Sequence, residues 1–399
     1  MTRKAKSSDP APTLTESIAD NRDRLDAMAA VGEQFASFRP AIEVLTKVRA
    51  VPTIFVQVDY ATRVGGWPIE RISLVHGPSN EGKTAFCLGL GLSFLMRGHF
   101  YHHVDAEYAT PEPWVRTLMA EHAGHPGFRA LRPRTYEETA DAVRQSCEVL
   151  GNAKAKGRLP ADTSMLFVID SLRKLVPKNL LAKIMKECSD EAPAGKDGRK
   201  VKGRGLDGAG GRAAQIKAAM NAQWMDELVP MLAQCGAAMV LVARETDDPD
   251  AGMYGEGFKV GGGRAAYYES SIVARIVRQG WVRENGESDS AIYGERHKVE
   301  IRKTKVGGKT EKKPVAHFHT SNGALVPAGF DRARDVVTMA IDAGIVDVNG
   351  SWVNWEKRKL GQGINAAVKR LDADASLLGD LEAECRTLFE LDDPIVVGG

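Results

Sequence analysis

The run Gly77-Pro78-Ser79-Asn80-Glu81-Gly82-Lys83-Thr84 fits the pattern of glycine, four residues, then Gly-Lys-Ser/Thr, whose chemistry is the cradling of phosphate groups. Its glycines let backbone N–H groups curl around an anion, and Lys83 can reach the β- and γ-phosphates. Thr84 offers a hydroxyl to Mg²⁺, and Ala85 continues into a helix whose N-terminus adds positive partial charge. These residues are expected to bind ATP. Two further segments end in acids. Leu166-Phe167-Val168-Ile169-Asp170 is an apolar strand that delivers Asp170 to the place where a carboxylate anchors the water shell of the metal. Val104-Asp105-Ala106-Glu107 places Glu107 where it can polarise an attacking water, although a helix N-cap or a surface acid fits the same spacing.

Such residues work only if strands and helices bring them to one edge. Ile72 to His76 reads as a short apolar strand, Thr84 to Met96 as a helix, Phe100 to Val104 as a strand, and Glu137 to Leu150 as a helix. A strand at Met165 to Ile169, a long helix around Ala213 to Leu232 and a strand at Ala238 to Val242 follow. Alternation of this kind predicts an α/β fold, a P-loop core with a mostly parallel sheet flanked by helices. Before it, Thr53 to Val58 reads as β-like. Later β-like segments are Ser271 to Val277, Lys298 to Arg302 and Val315 to His319.

Three domains are expected: an N-terminal tail and helical segment over 1–50, to which the family resemblance described below adds an oligomerisation role, an ATPase core over 51–328, and a small α+β domain over 329–399. The last opens with a helix at Arg332 to Ala343 and a hairpin from Ile345 to Trp355 that turns at Asn349-Gly350. Helical patterns at Ile364 to Leu371 and Ala375 to Leu391 complete it. Two Gly-rich charged stretches, Lys183 to Gly210 and Glu245 to Gly263, are too long for plain connections and suggest functional loops.

Composition narrows the partners. With 54 Lys and Arg against 52 Asp and Glu, no global field advertises nucleic acid, so any DNA binding must come from local basic patches. The five cysteines form no CxxC pair, which fits reduced thiols and argues against a zinc ribbon. The longest apolar stretch, Ala237 to Ala243, is far shorter than the roughly 20 residues of a membrane helix, and no signal-peptide core follows the basic N-terminus. A cytosolic protein is expected.

Taken together, Gly77 to Thr84, Val104 to Glu107 and Phe167 to Pro177 resemble the RecA recombinases, phage-type UvsX-like members included, in identity, order and spacing. The likeness runs from about residue 50 to 390, through Gly261-Gly262-Gly263-Arg264, Ile301-Arg302-Lys303-Thr304-Lys305 and Ile341-Asp342-Ala343-Gly344-Ile345. The resemblance implies that Glu107 is the catalytic glutamate and that Ser171 flanks the metal-site aspartate. It also implies that Trp114 takes the place of an aromatic that stacks on adenine, although plain core packing fits an indole equally well. Lys303 and Lys305 match a lysine pair that such recombinases insert across the protomer boundary toward a neighbour's γ-phosphate; a basic solvent-facing strand is the plainer alternative.

Two departures stand out. The family usually presents a polar pair that senses the γ-phosphate, where this chain has Ala243-Arg244; Arg244 can sense phosphate only as a cation with different geometry. At Pro111 the chain lacks the carboxylate that bacterial members place near the adenine amine. The Lys183 to Gly210 stretch is closer in size to phage-like forms, and within it Lys196, Arg199, Lys200, Lys202 and Arg204 make a basic run suited to a phosphate backbone. In the second loop DNA is expected at the Phe258 to Arg264 end, with Phe258, Lys259 and Arg264 in contact. The resemblance places Tyr268 against the neighbouring protomer, and a core position fits it as well.

The expected function is therefore a DNA-dependent ATPase using ATP and Mg²⁺. It would form helical filaments on single-stranded DNA, pair them with homologous double-stranded DNA and exchange strands, with loading or single-strand-binding accessory proteins as candidate partners. Its place is the cytosol of a bacterial cell or phage-infected host. A ring helicase on the same core would instead form closed hexamers, and an ATP-gated single-strand DNA-binding mediator would show little turnover.

Overall fold

A computed structural model describes residues 48–182, 206–248, 257–261, 264–284, 287–306 and 314–387. The chain divides into the units Met1–Lys47 and Val48–Gly399, and all described residues belong to the second. The expected N-terminal helical segment and the basic run from Lys196 to Arg204 lie outside the described residues.

The unit opens with β1 (Ala50–Val51), α1 (Val56–Thr62) and β2 (Trp67–Pro68), with β1 and β2 paired antiparallel. The strand expected over Thr53 to Val58 is therefore mostly a turn and a helix. Pro52 has no N–H for a ladder. The Thr53 N–H donates to Asp59 Oδ2 at 2.8 Å, and the Phe55 N–H donates to Thr53 Oγ1 at 3.0 Å, which wraps the chain into the first helical turn. Phe55, Val58 and Ala61, three apart, then bury one helical stripe.

The central sheet runs in the order β12-β11-β10-β9-β3-β7-β6-β4-β5, with β8 (Phe258–Val260) on β7. Its site-bearing half is parallel: β3 (Ile72–Gly77), β4 (Phe100–Asp105), β5 (Phe128–Leu131), β6 (Met165–Asp170), β7 (Ala237–Asp247) and β9 (Ile272–Arg283). The other half, β9, β10 (Ile292–Thr304), β11 (Val315–Ser321) and β12 (Gly329–Phe330), is antiparallel. Helices α2 (Lys83–Leu95), α3 (Glu112–Met119), α4 (Tyr136–Ala155) and α5 (Leu206–Cys235) accompany the parallel half.

Strand β6 is buried at every position, as its unbroken apolar run requires when both faces are covered. Leu166 and Val168 join one core cluster with Phe86 and Leu88 of α2. Phe167 and Ile169 join another with Leu150 of α4 and Leu228 and Leu232 of α5. A third cluster fills the C-terminal elements: α7 (Arg332–Asp342), β13 (Val346–Asn349), β14 (Trp352–Trp355), β15 (Arg358–Gln362), α8 (Ile364–Ala373) and α9 (Ala375–Thr387). The expected hairpin forms, but Asn349 still pairs with Trp352, so the turn is Gly350-Ser351, one residue later than expected, with Gly350 at φ 62°; β15 adds an unexpected third strand.

Register aligns the chemistry. Gly77 at the end of β3 pairs with Arg244 of β7, and Asp105 at the end of β4 pairs with Asp170 of β6. The carboxyl edge of the parallel strands, where open α/β sheets hold ligands, thus carries one row of functional groups.

Candidate nucleotide-hydrolysis site

Strand β3 stops at Gly77, and α2 starts at Lys83 behind Gly82, whose φ of 91° sits in the left-handed region. No side chain caps this helix, so its first N–H groups, which have no intrahelical partner, point at the turn. Both outer glycines are dictated by crowding. A Cβ on Gly77 would meet the Ile276 carbonyl oxygen at 2.2 Å, and one on Gly82 would meet His297 Nδ1 at 2.5 Å. That histidine stacks on Phe318 with centroids 4.6 Å apart, and its Nδ1 lies 3.2 Å from the Glu81 carbonyl oxygen. The turn is thereby pinned to the antiparallel half of the sheet.

Lys83 is buried, and burial lowers its pKa; its ammonium donates to the Pro78 carbonyl inside the turn. Thr84 Oγ1 donates to Asp170 Oδ2 at 2.6 Å. Burial pushes the Asp170 carboxyl up to about 6, against the pull of the Thr84 hydrogen bond. The Asp170-Ser171 peptide is cis. Ser171 Oγ donates to Glu107 Oε1 at 2.7 Å, and an Arg244 guanidinium N–H donates to Glu107 Oε2 at 2.8 Å. Both carboxylate oxygens of Glu107 are therefore held, one by a hydroxyl and one by a cation.

These groups line a cavity of about 820 Å³, within the range of small-molecule sites, together with Ser79, Asn80, Pro111 and Trp114. A buried cation, a helix N-terminus and two outer glycines with no room for a side chain fit a polyphosphate. Among the described residues no group of three or more His, Cys, Asp or Glu could hold a metal ion by itself. A magnesium ion here would rest on Thr84 and the Asp170 side, completing its shell with phosphate oxygens and water.

Lys303 and Lys305 do not line this cavity. Lys303 Nζ donates to the carbonyls of Tyr267 and Tyr268 at 2.7 and 2.8 Å, and Lys305 Nζ donates to that of Tyr268 at 2.7 Å. Both thus cap the C-terminal end of α6 (Arg264–Glu269), the short helix after the second loop. Tyr268 is 61% exposed, so it is not an intramolecular core residue. Arg264 opens α6; its side chain lies outside the described residues.

At β8 (Phe258–Val260) the expected DNA residues are engaged within the fold. The Arg275 guanidinium lies 4.7 Å from the Phe258 ring centroid, and Lys259 pairs with Asp248 at 2.8 Å. Sequence reasoning missed the cluster behind them. Glu245 accepts from Arg275 at 2.7 and 2.9 Å, and its Oε1 lies 2.8 Å from His76 Nδ1. Burial raises the Glu245 pKa, but the His76 and Arg275 hydrogen bonds outweigh it and hold the carboxyl at about 2. The available signal was an acid directly after Arg244, taken for a loop start when β7 in fact runs on to Asp247. Trp281, Ile292 and Asn322 also line the cavity and were missed, because they arrive from the antiparallel strands rather than from a motif.

Known proteins are similar to this chain in sequence. The RecA C-terminal domain family matches residues 334–390. Protein RecA of Aquifex pyrophilus is 25% identical over 385 residues, 96% of either chain. Protein RecA of Acholeplasma laidlawii is 23% identical over 344 residues, 86% of this chain and 88% of the relative, and that of Cutibacterium acnes is 24% identical over 353 residues, 88% and 87%. Over most of its length, then, this α/β chain with a row of polar and charged groups on one sheet edge is similar to the bacterial RecA proteins, and near its end to the RecA C-terminal domain family.

Proposed function

We propose that this chain is a recombinase. It hydrolyses ATP, forms helical filaments on single-stranded DNA, pairs the bound strand with homologous double-stranded DNA and exchanges partners, in the cytosol of a bacterial cell or phage-infected host. The observation that carries the reading is Glu107, held by Ser171 and Arg244 beside the Thr84–Asp170 pair at the mouth of the phosphate turn. Similarity to RecA proteins along nearly the whole chain supports the DNA and filament parts, and the length of the 183–210 stretch supports the phage-type branch.

In this reading the turn from Gly77 to Thr84 binds the triphosphate, with Lys83 on the β- and γ-phosphates. Bound with it, Mg²⁺ would neutralise charge on the phosphate oxygens. Glu107 orients the attacking water and draws on its proton. Arg244 is close enough to that carboxylate to exchange it for a γ-phosphate oxygen, which frees Glu107 as the phosphate is sensed. Trp114 stacks on the base. Lys303 and Lys305 leave the end of α6 to reach the neighbouring protomer's phosphates, and Tyr268 packs at that boundary. The run Lys196, Arg199, Lys200, Lys202 and Arg204, with Phe258, Lys259 and Arg264, forms the DNA surface, and accessory proteins load the filament.

A mixing experiment tests the composite site. Lys83→Ala and Lys303→Ala protomers, each inactive alone, should together recover DNA-stimulated hydrolysis, approaching about a quarter of wild type at equal mixing in a head-to-tail filament. No recovery, together with no stimulation of the wild type by single strands, would sink the proposal. The Arg244–Glu107 pair favours one second reading, an ATP-gated single-strand DNA-binding mediator in which Glu107 stays paired. Single-turnover hydrolysis on DNA separates the two.

A further inference from the structure

The nucleotide cavity holds a second indole that no motif announces. Trp114 comes from α3 and is 36% exposed; Trp281 comes from β9 and is 48% exposed; both line the space above the phosphate turn. Trp281 lies opposite Glu295 of β10, which lies opposite Thr320 of β11, so it sits on the sheet wall of the cavity while Trp114 sits on the helix wall. The Arg278 guanidinium stands 5.1 Å from the Trp281 ring centroid and helps to fix the indole.

Among the described residues, the side chains at this end with a fixed hydrogen-bonding direction each already hold a partner within the fold. Asn322 donates through its amide nitrogen to the Ile292 carbonyl at 2.8 Å and accepts from the Ala324 N–H at 3.0 Å. Ser321 Oγ donates to the Val326 carbonyl at 2.9 Å and accepts from the Gly323 N–H at 3.2 Å. Glu295 pairs with His297 at 3.2 Å and lies 3.6 Å from Arg278. Pro111 brings no side-chain donor or acceptor. The lining hydroxyls of Thr110 and Thr320 can rotate to donate or accept, so they suit the amino group of adenine and the carbonyl of guanine alike.

Strong rejection of a related base needs a fixed hydrogen-bonding partner that the wrong base would leave unpaired, whereas stacking reads a π-face that every base has. We infer that Trp281 is a second base-stacking residue and that the site takes purine nucleoside triphosphates with little discrimination between adenine and guanine. This rests on the nucleotide-binding reading above and goes beyond it in naming the substrate class.

Calorimetric titration of the full chain with ATP, GTP and inorganic tripolyphosphate, each with Mg²⁺, tests it. ATP and GTP should bind within about threefold of one another. Trp281→Ala should weaken both by about tenfold while tripolyphosphate stays within about twofold, and Trp281→Phe should recover most of the loss. A preference for ATP above about thirtyfold overturns the inference and leaves the phosphate cradle standing. So does a Trp281→Ala variant that binds both nucleotides normally, or one that loses tripolyphosphate equally and so marks a merely structural residue. Binding of none of the three ligands removes the nucleotide-binding reading itself, and this inference with it.

Discussion

Glu107 has a carboxylate oxygen on Ser171 and the other on Arg244, so it is oriented before any water reaches it. Glu107→Gln keeps the shape and the Ser171 contact but cannot take a proton. Hydrolysis in single-turnover quench experiments is expected to fall by about 10²- to 10⁴-fold with ATP affinity little changed; a variant that turns over normally would reassign the base. The positions of Asp170 and Glu107 at one edge were legible in the sequence, because Asp170 closes the apolar strand β6 and Glu107 follows two residues after the end of β4, and parallel strands bring such ends together. The partner of Glu107, Arg244, was legible as a position but not as an ion pair, since the pairing spans 137 residues. Glu245, His76 and Arg275 escaped for the same reason: His76 and Glu245 are 169 residues apart, and nothing local marks either.

At the scale of elements, β7 carries the two sides of the site on successive residues. Arg244 engages the nucleotide side through Glu107, while Glu245 engages Arg275, whose guanidinium packs on Phe258 of β8. Arg275→Ala should therefore leave Glu245 with His76 alone, destabilise the fold by about 1–3 kcal/mol in denaturant titration, and speed hydrogen exchange over Phe258–Val260. Unchanged exchange at β8 would show that this strand is held otherwise. Elements with a strong local signal were read correctly: the strand-turn-helix around Gly77, and the hairpin marked by Asn349-Gly350. Short β5 and β15 were not read, because Arg129, Ala130, Arg358 and Lys359 are exposed and give no apolar alternation. Their strand character comes from the neighbour they pair with, and at Thr53 to Val58 a proline and one buried acid overruled an apolar pattern.

Across the whole molecule, that acid is the most telling group. Asp59 is fully buried, and burial pushes its carboxyl up to about 6 despite Arg386, which donates to it at 2.7 Å. A folded pKa above the unfolded 3.8 means the native state holds the proton more tightly, so its contribution to stability is fully present below about pH 4 and declines until pH passes about 6. The decline amounts to about 3 kcal/mol. Asp59→Asn does not titrate, so the difference in unfolding free energy between wild type and variant should drift by that amount over the window; a flat difference would refute it. Arg386 also donates to the Thr53 carbonyl and to Glu382, which in turn accepts from Arg332. The last described helix is therefore fastened to the segment 327 residues earlier that leads into the phosphate turn. Shortening the protein before Ala375 would strand a buried anion beneath the central sheet, so the expected result is a lower melting temperature for the remaining fold and not merely the loss of an appendage.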